Sequence, residues 1–218
     1  GLVDVIFIGE TANTLPNWVE SNFTLKGKLH HQHQTFPNIG FIDPKLLKED
    51  FDRTKQVGSY ATINSHRDEK YFRDGGVRIH FTQGCVKRCT FCDVWHTWPK
   101  FTMRDPHDVI KEIDYYHQRM KVNHLSFPDN TINASNSQFL RLLELLYDWK
   151  DKNNRHDITW SSQFAIKPAN QLSDEMFQLI AETKGELSVG FDHASDDVLA
   201  HMKKLYVWDD IKDFIMRS

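Results

Sequence analysis

From Gly76 onward, stretches patterned as strands alternate four times with stretches patterned as helices, through connections too long for hairpins. Parallel neighbours need such crossovers, so the pattern predicts a parallel sheet with helices over its outer face. Val77, Ile79 and Phe81 alternate with Arg78 and His80 as a first strand of period two. Asp105 then reads as an N-cap with Pro106 in the first helical position. Val109, Ile113, Tyr116 and Met120 follow at helical spacing. A short strand at His124 to Phe127 exits through Pro128-Asp129-Asn130, and the next helix carries Phe139, Leu142, Leu143, Leu146 and Trp149 on one face. Ile158 to Gln163 reads as the third strand. Ser173 caps a helix with Asp174 and Glu175 in its first turn, where carboxylates suit the helix dipole. Leu187 to Phe191 is the fourth strand, and Ser195 with Asp196 and Asp197 opens another helix. A last amphipathic stretch holds Trp208, Ile211 and Ile215. In such sheets ligands gather at the carboxyl ends of the strands.

One of those ends carries all three cysteines of the chain: Cys85, Cys89 and Cys92, in Gly84-Cys85-Val86-Lys87-Arg88-Cys89-Thr90-Phe91-Cys92. The spacing C-x3-C-x2-C suits a loop around an iron–sulfur cube. Three thiolates hold three irons and leave the fourth open, where a substrate or cosubstrate can bind. A structural zinc site is the competing reading, with His96 as fourth ligand. Closed zinc sites more often pair two C-x2-C knuckles, and a second pair is missing here. A disulfide framework is weaker still for three clustered cysteines. Lys87 and Arg88 stand between the ligands; they either favour thiolate and tune the cluster or solvate the loop. Trp95, His96 and Trp98 follow, as active-site lining or as packing.

Formal net charge is −3, which gives no electrostatic case for nucleic acid. No apolar run approaches the ~20 residues needed to span a bilayer. An oxygen-sensitive cluster in a chain without disulfides points to the cytoplasm. At the front, Val3 to Ile8 is an apolar strand ending in Gly9-Glu10, with a helix around Leu15 to Val19, as in the last strand and helix of an α/β layer. Residues 22–76 read as a long connection with short helices such as Pro44 to Asp50. His30, His31 and His33 in it read as solvated loop rather than metal ligands. Opening at Gly1 and stopping at Ser218 inside a helical pattern, the chain reads as an excerpt of a longer protein.

The cysteine loop, with Phe91 before the third cysteine, resembles the radical S-adenosylmethionine (SAM) superfamily. It looks most like the branch in which a cobalamin-binding domain precedes the barrel. Phe101 to Pro106 with Glu112-Ile113, Phe127 to Thr131, and Val189 to Asp196 with Met202-Lys203-Lys204 carry that likeness, as does Asp4 to Glu10 for the preceding domain. The resemblance implies a truncated, partial (βα) TIM-like barrel. Residues 1–22 would be the remnant of a Rossmann-like, cobalamin-binding-like domain, 23–75 a linker and 76–218 the first four βα units of a six-unit barrel. It implies a 4Fe-4S cluster and SAM as cofactors, cobalamin as a further one, and an electron donor such as flavodoxin or ferredoxin. The reaction would be reductive cleavage of SAM to a 5′-deoxyadenosyl radical acting on an unidentified substrate, with methyl transfer where cobalamin takes part. Methylthiolation, or a non-catalytic iron–sulfur or zinc protein, are the alternatives.

By resemblance Phe91 sits near the adenine. Asp129, Asn130, Ser161, Gln163 and Asp192 fall at carboxyl ends of strands, as candidate contacts for SAM. Turn and capping duty competes, most strongly for Asp129 and Asn130. Asp192 ends an apolar strand, where a carboxylate needs a partner. Two departures touch cosubstrate binding: Gly190-Phe191-Asp192-His193 stands where the branch often has Gly-x-Glu-Ser, and Ser162 to Ala165 lacks its arginine. The Asp-x-His-x-x-Gly segment that would ligate cobalt is absent from these residues.

Overall fold

The computed structural model describes residues 5–8, 14–30, 41, 45 and 76–218. A first parallel unit comprises β1 (Val5–Ile8), α1 (Thr14–Glu20) and β2 (Gly27–His30), with Val5 opposite Gly27. A strand thus lies within the stretch read from sequence as connection. His31, His33 and nearly all of the expected Pro44 to Asp50 helix lie outside the described residues.

The main sheet has four strands in the order β3 (Gly76–Arg78), β6 (His124–Phe127), β7 (Thr159–Phe164) and β8 (Gly185–Val189), and every neighbouring pair is parallel. Between them run α3 (Pro106–Arg119), α4 (Asn136–Lys152) and α5 (Asp174–Glu182), followed by α6 (Asp196–His201) and α7 (Trp208–Arg217). The described strands form an open sheet with β3 and β8 at its edges. No described helix is long and apolar enough to cross a membrane.

Strand pleat sorts the side chains between two faces. Leu125, Phe127, Trp160 and Phe164 are buried on the helix side, where Phe139 of α4 meets both Trp160 and Phe164, and Phe214 of α7 stacks on Phe164. The α4 stripe of Phe139, Leu142, Leu143, Leu146 and Trp149 is buried as its spacing predicts. The other face is polar. His124 is buried there, with its ring nitrogens 2.7 Å from Thr159 Oγ1 and 2.9 Å from Ser161 Oγ. Ser126 lies opposite Ser161, and Ser161 opposite Glu186. Trp160 crosses onto β8 because Gly185 has no side chain; a Cβ there would fall 2.3 Å from the indole.

Boundaries shift for local reasons. The first strand pairs only to Arg78, although Ile79 N still donates to Ser126 O at 3.0 Å, because β6 ends at Phe127. The fourth begins two residues earlier than expected, since Lys184 turns into the left-handed region (φ 56°) and releases the chain straight into the ladder. Phe191 is left outside, half exposed. Asp105 and Ser173 cap their helices through side-chain oxygens, but the Ser195 hydroxyl makes no cap bond. Ile215 is exposed, and Phe214 takes the buried place expected for it.

Candidate functional site

The cysteine loop leaves the first strand through a carboxylate clamp. Past Ile79 the amides of Phe81 and Thr82 turn to a side chain, that of Asp129 at the exit of β6. Its Oδ1 accepts from Phe81 N at 3.2 Å and its Oδ2 from Thr82 N at 2.9 Å. The His80 ring stands 3.5 Å away. Asp129 is 1 % exposed, and burial pushes its carboxyl above the ordinary range against the pull of His80 and the two amides. Two short strands, β4 (Thr82–Gln83) and β5 (Thr102–Met103), then pair antiparallel and pinch off residues 84–101 as a closed loop. Gly84 starts it at φ +81°, where a Cβ would crowd Lys100 O and Trp98 Cβ. At the far end Arg104 donates to His80 O at 2.8 Å and pairs with Glu112 of α3 at 2.5 Å, both side chains largely buried.

Within the loop, a single turn of helix, α2 (Val94–Thr97), follows the cysteines. All three cysteines are free; Cys89 is buried, and Cys85 and Cys92 are half-buried. Other strand exits hold the loop. Cys85 Sγ lies 3.3 Å from Thr131 Oγ1 behind β6. Lys87 Nζ donates to Ile166 O behind β7 at 3.0 Å and sits 5.0 Å above the Tyr206 ring. Thr90 N donates to Met202 O at the end of α6. Burial lowers the Lys87 pKa, and Lys204 adds to this, while Cys89, Cys85 and Asp192 oppose it. Lys204 pairs with Asp192 and stands 5.0 Å from the Phe91 ring. Burial, then the charges of Asp192 and Cys89, push the Tyr206 hydroxyl well above its usual range; it donates to Gly190 O at 3.3 Å.

Most of the expected site residues gather on this side of the sheet. Phe91 is 56 % exposed at the loop's surface beneath Lys204. Asp192 sits just past β8 in the left-handed region (φ 26°) with Lys204 as partner, so its carboxylate is matched. Ser161 and Gln163 share the polar face, with Ser161 bonded to His124. Asn130 is half-buried, and its carbonyl accepts from Thr131 Oγ1. Asp129 is different. Both its oxygens accept from backbone amides, which ties the entry of the loop to the exit of β6. Thr131, Lys167, Lys204 and Tyr206 join the site without having been singled out for it. Thr131 and Lys204 had a signal, in the Phe127 to Thr131 and Met202-Lys203-Lys204 segments, whereas Lys167 and Tyr206 had none, because solvated residues and site residues of these types look alike in sequence.

The donor set suits an iron–sulfur cluster. Gln83 Oε1, Trp95 Nε1, Trp98 Nε1 and Thr102 Oγ1, all on this loop and its closing ribbon, are buried without hydrogen-bond partners. Buried polar atoms almost always find partners. Three of the four, the Trp95 and Trp98 indole N–H groups and the Thr102 hydroxyl, can donate to a group with acceptor atoms such as sulfide, whereas Gln83 Oε1 asks for a donor. Zinc asks for four donors drawn to one centre. Among the described residues no three His, Cys, Asp or Glu side chains, the three cysteines included, are gathered to hold one metal ion, and the His96 ring lies against Trp95.

Comparison with known proteins agrees. By structure the chain is similar to the radical SAM methyltransferase TsrM from Kitasatospora setae, solved with its tryptophan substrate and the SAM analogue aza-SAM. Identity is 18 % and TM-score 0.57, over 68 % of this chain and 29 % of that one. TsrM solved with cobalamin and a [4Fe-4S] cluster gives 18 % and 0.57, over 69 % and 28 %. The chain therefore spans under a third of the length of these neighbours. No curated protein matches it. The family model of the radical SAM superfamily matches residues 79–217, a span that takes in the cysteine loop and all but the start of the four-stranded sheet, and the chain belongs to that superfamily.

Proposed function

We propose that this chain carries the cluster-binding part of an enzyme that cleaves SAM reductively and directs the resulting radical at a substrate. The observation that carries the reading is three free thiols on one closed loop at the strand exits, with unpartnered buried polar atoms on the same loop and its closing ribbon. When bound, the cluster supplies the electron that splits SAM into methionine and a 5′-deoxyadenosyl radical, which takes a hydrogen atom from the substrate. Cys85, Cys89 and Cys92 hold it as thiolates. Lys87 places a positive charge beside Cys85 and Cys89. Phe91 offers its ring to the adenine, while Asn130, Ser161, Gln163 and Asp192 serve the ribose and the amino-acid part. Asp129 holds the loop in register.

Cobalamin-dependent methyl transfer is the finer reading. The structural likeness to TsrM supports it, as do β1 and α1, which fall within residues 1–22 read as the tail of a cobalamin-binding-like domain and which β2 of the expected linker joins in a parallel pair. The barrel, the cytoplasmic setting and a flavodoxin- or ferredoxin-like donor belong to the same proposal. Anaerobic reconstitution with iron and sulfide, followed by dithionite and SAM, tests it in the full-length protein. One four-iron cluster per chain and 5′-deoxyadenosine are expected, and each Cys→Ala variant should lose both. A stable zinc complex that resists iron, or a loaded protein that leaves SAM intact, would sink the proposal.

A further inference from the structure

Three lysines converge on the strand exits, and they differ in what balances their charge. Lys204 has Asp192. Lys87 has the sulfur atoms of Cys85 and Cys89 nearby, which carry negative charge once they are ligands. Lys167 has neither. It stands three residues past the end of β7, half-buried, and its Nζ donates to Ala134 O at 3.2 Å and to Asn136 Oδ1 at 2.7 Å, both neutral acceptors behind β6. Among the described residues no carboxylate pairs with it, and the one charge acting on it is the like charge of Lys87. The two are tied closely, since Lys87 Nζ is bonded to the carbonyl of Ile166, the residue before Lys167. Burial, then Lys87, lowers the Lys167 pKa to about 8, so the amine keeps its proton near neutrality only at a cost.

A half-buried ammonium beside a second one is poorly placed as mere surface decoration. If Lys167 only tied two loops together, a neutral amide donor would serve without the repulsion. We infer that Lys167, with Lys87 behind it, holds an anionic group of the substrate, a carboxylate or a phosphate, at the exits of β6 and β7 beside the cysteine loop. An incoming anion would supply the counter-charge that Lys167 lacks, and hydrogen bonds to a charged acceptor are the stronger kind. The inference rests on the SAM-cleaving reading for the word substrate, and the anion site itself can be measured without turnover.

The test uses the full-length, cluster-loaded and reduced protein, whose unpaired electron speeds the nuclear relaxation of anions held near it. Relaxation of ³¹P in inorganic phosphate, and of ¹³C in acetate, is followed at constant ionic strength with and without saturating SAM. Saturable enhancement that survives SAM is expected for at least one of the two anions. Lys167→Arg should retain it, and Lys167→Met should weaken it about tenfold, the loss of one charge-assisted contact. If Lys167→Met fails to load its cluster, Lys167→Gln, which can still donate to Asn136, carries the same expectation. Three results would overturn the inference: no saturation, equal affinity in the neutral variants, or displacement by SAM, which would assign the site to SAM's own carboxylate. Deoxyadenosine formation is scored separately, so failure of the SAM-cleaving reading shows as its absence with anion binding intact.

Discussion

Replacing Asp129 by alanine should detach the cysteine loop from the sheet without touching a thiol. In the folded chain the carboxylate receives two buried amides, Phe81 N at 3.2 Å and Thr82 N at 2.9 Å, and is itself 1 % exposed. Each donor left buried and unpaired costs ~1–3 kcal/mol. Relief of the buried carboxyl, whose pKa burial holds high, returns part of that. The net loss is about 3 kcal/mol. Asp129→Asn keeps one acceptor and turns an NH2 group toward the other amide, for about half that loss. Urea unfolding of the chain followed by tryptophan fluorescence measures the stability, and iron per chain after reconstitution measures the loop. Alanine should lower both, with asparagine between. Should Asp129→Ala cost less than ~1 kcal/mol and load a full complement of iron, the clamp would be incidental and the loop would owe its shape to the β4–β5 ribbon.

Lys150 is fully buried, its Nζ bonded to Ile158 O and Thr183 O at 2.5 Å each, and burial lowers its pKa to about 8. A depressed pKa on a base means stability that is present above the unfolded value near 10.5 and is lost as pH falls to about 8. The stability difference between the parent chain and Lys150→Met, measured by urea unfolding, should therefore grow by about 3 kcal/mol in the parent's favour from pH 8 to pH 10.5; a flat difference would contradict this. Gly185→Ala drives a methyl into Trp160 and endangers the Trp160 Nε1 to Thr183 Oγ1 bond of 2.9 Å, for a loss of ~2–3 kcal/mol in the same assay. Glu112→Gln weakens the largely buried hold on Arg104 and should cost ~1–2 kcal/mol and reduce iron loading; unchanged loading would show that the loop does not depend on the Glu112–Arg104 pair.

The helices could be read from the chain because periodicity and capping are local. Asp105 and Pro106 open α3, Ser173 opens α5, and the five apolar residues of α4 face inward, all as spacing and side-chain chemistry dictate. Strand ends were less legible, because a strand stops where its neighbour stops. Nothing within Val77 to Thr82 says that its last two amides will turn to a side chain 48 and 47 residues away. The β4–β5 ribbon is two residues long on each side, too short to show a period. Cysteine spacing made the centre of the site plain, whereas its rim was hidden. Lys167 and Tyr206 acquire meaning only when the exits of separate strands meet, and lysine and tyrosine are common on ordinary surfaces. Lys150 was invisible for the same reason: a charged residue near the end of an amphipathic helix reads as solvated, yet two carbonyls beneath it claim its ammonium.

The holds on the cysteine loop also say when it can form. The first strand delivers it, and Asp129 and Thr131 behind the second strand meet its start and its first thiol. Ile166 behind the third holds Lys87, and Met202 and Tyr206 behind the fourth meet Thr90 and Lys87. These contacts join residues roughly 50 to 120 positions apart, so the loop has its shape only once all four strands are in register. Closing such long loops is the slow, entropically costly part of folding. Thiols scattered on an unformed loop would instead be exposed to oxidation and to stray metals. Iron uptake should thus follow sheet assembly, and the cluster, once bound by a set of ligands fully formed only in the folded chain, should stabilise the sheet in return. The electrostatics point the same way: Lys87 brings its charge to Cys85 and Cys89 only when the carbonyl of Ile166 and the ring of Tyr206 are there to hold it.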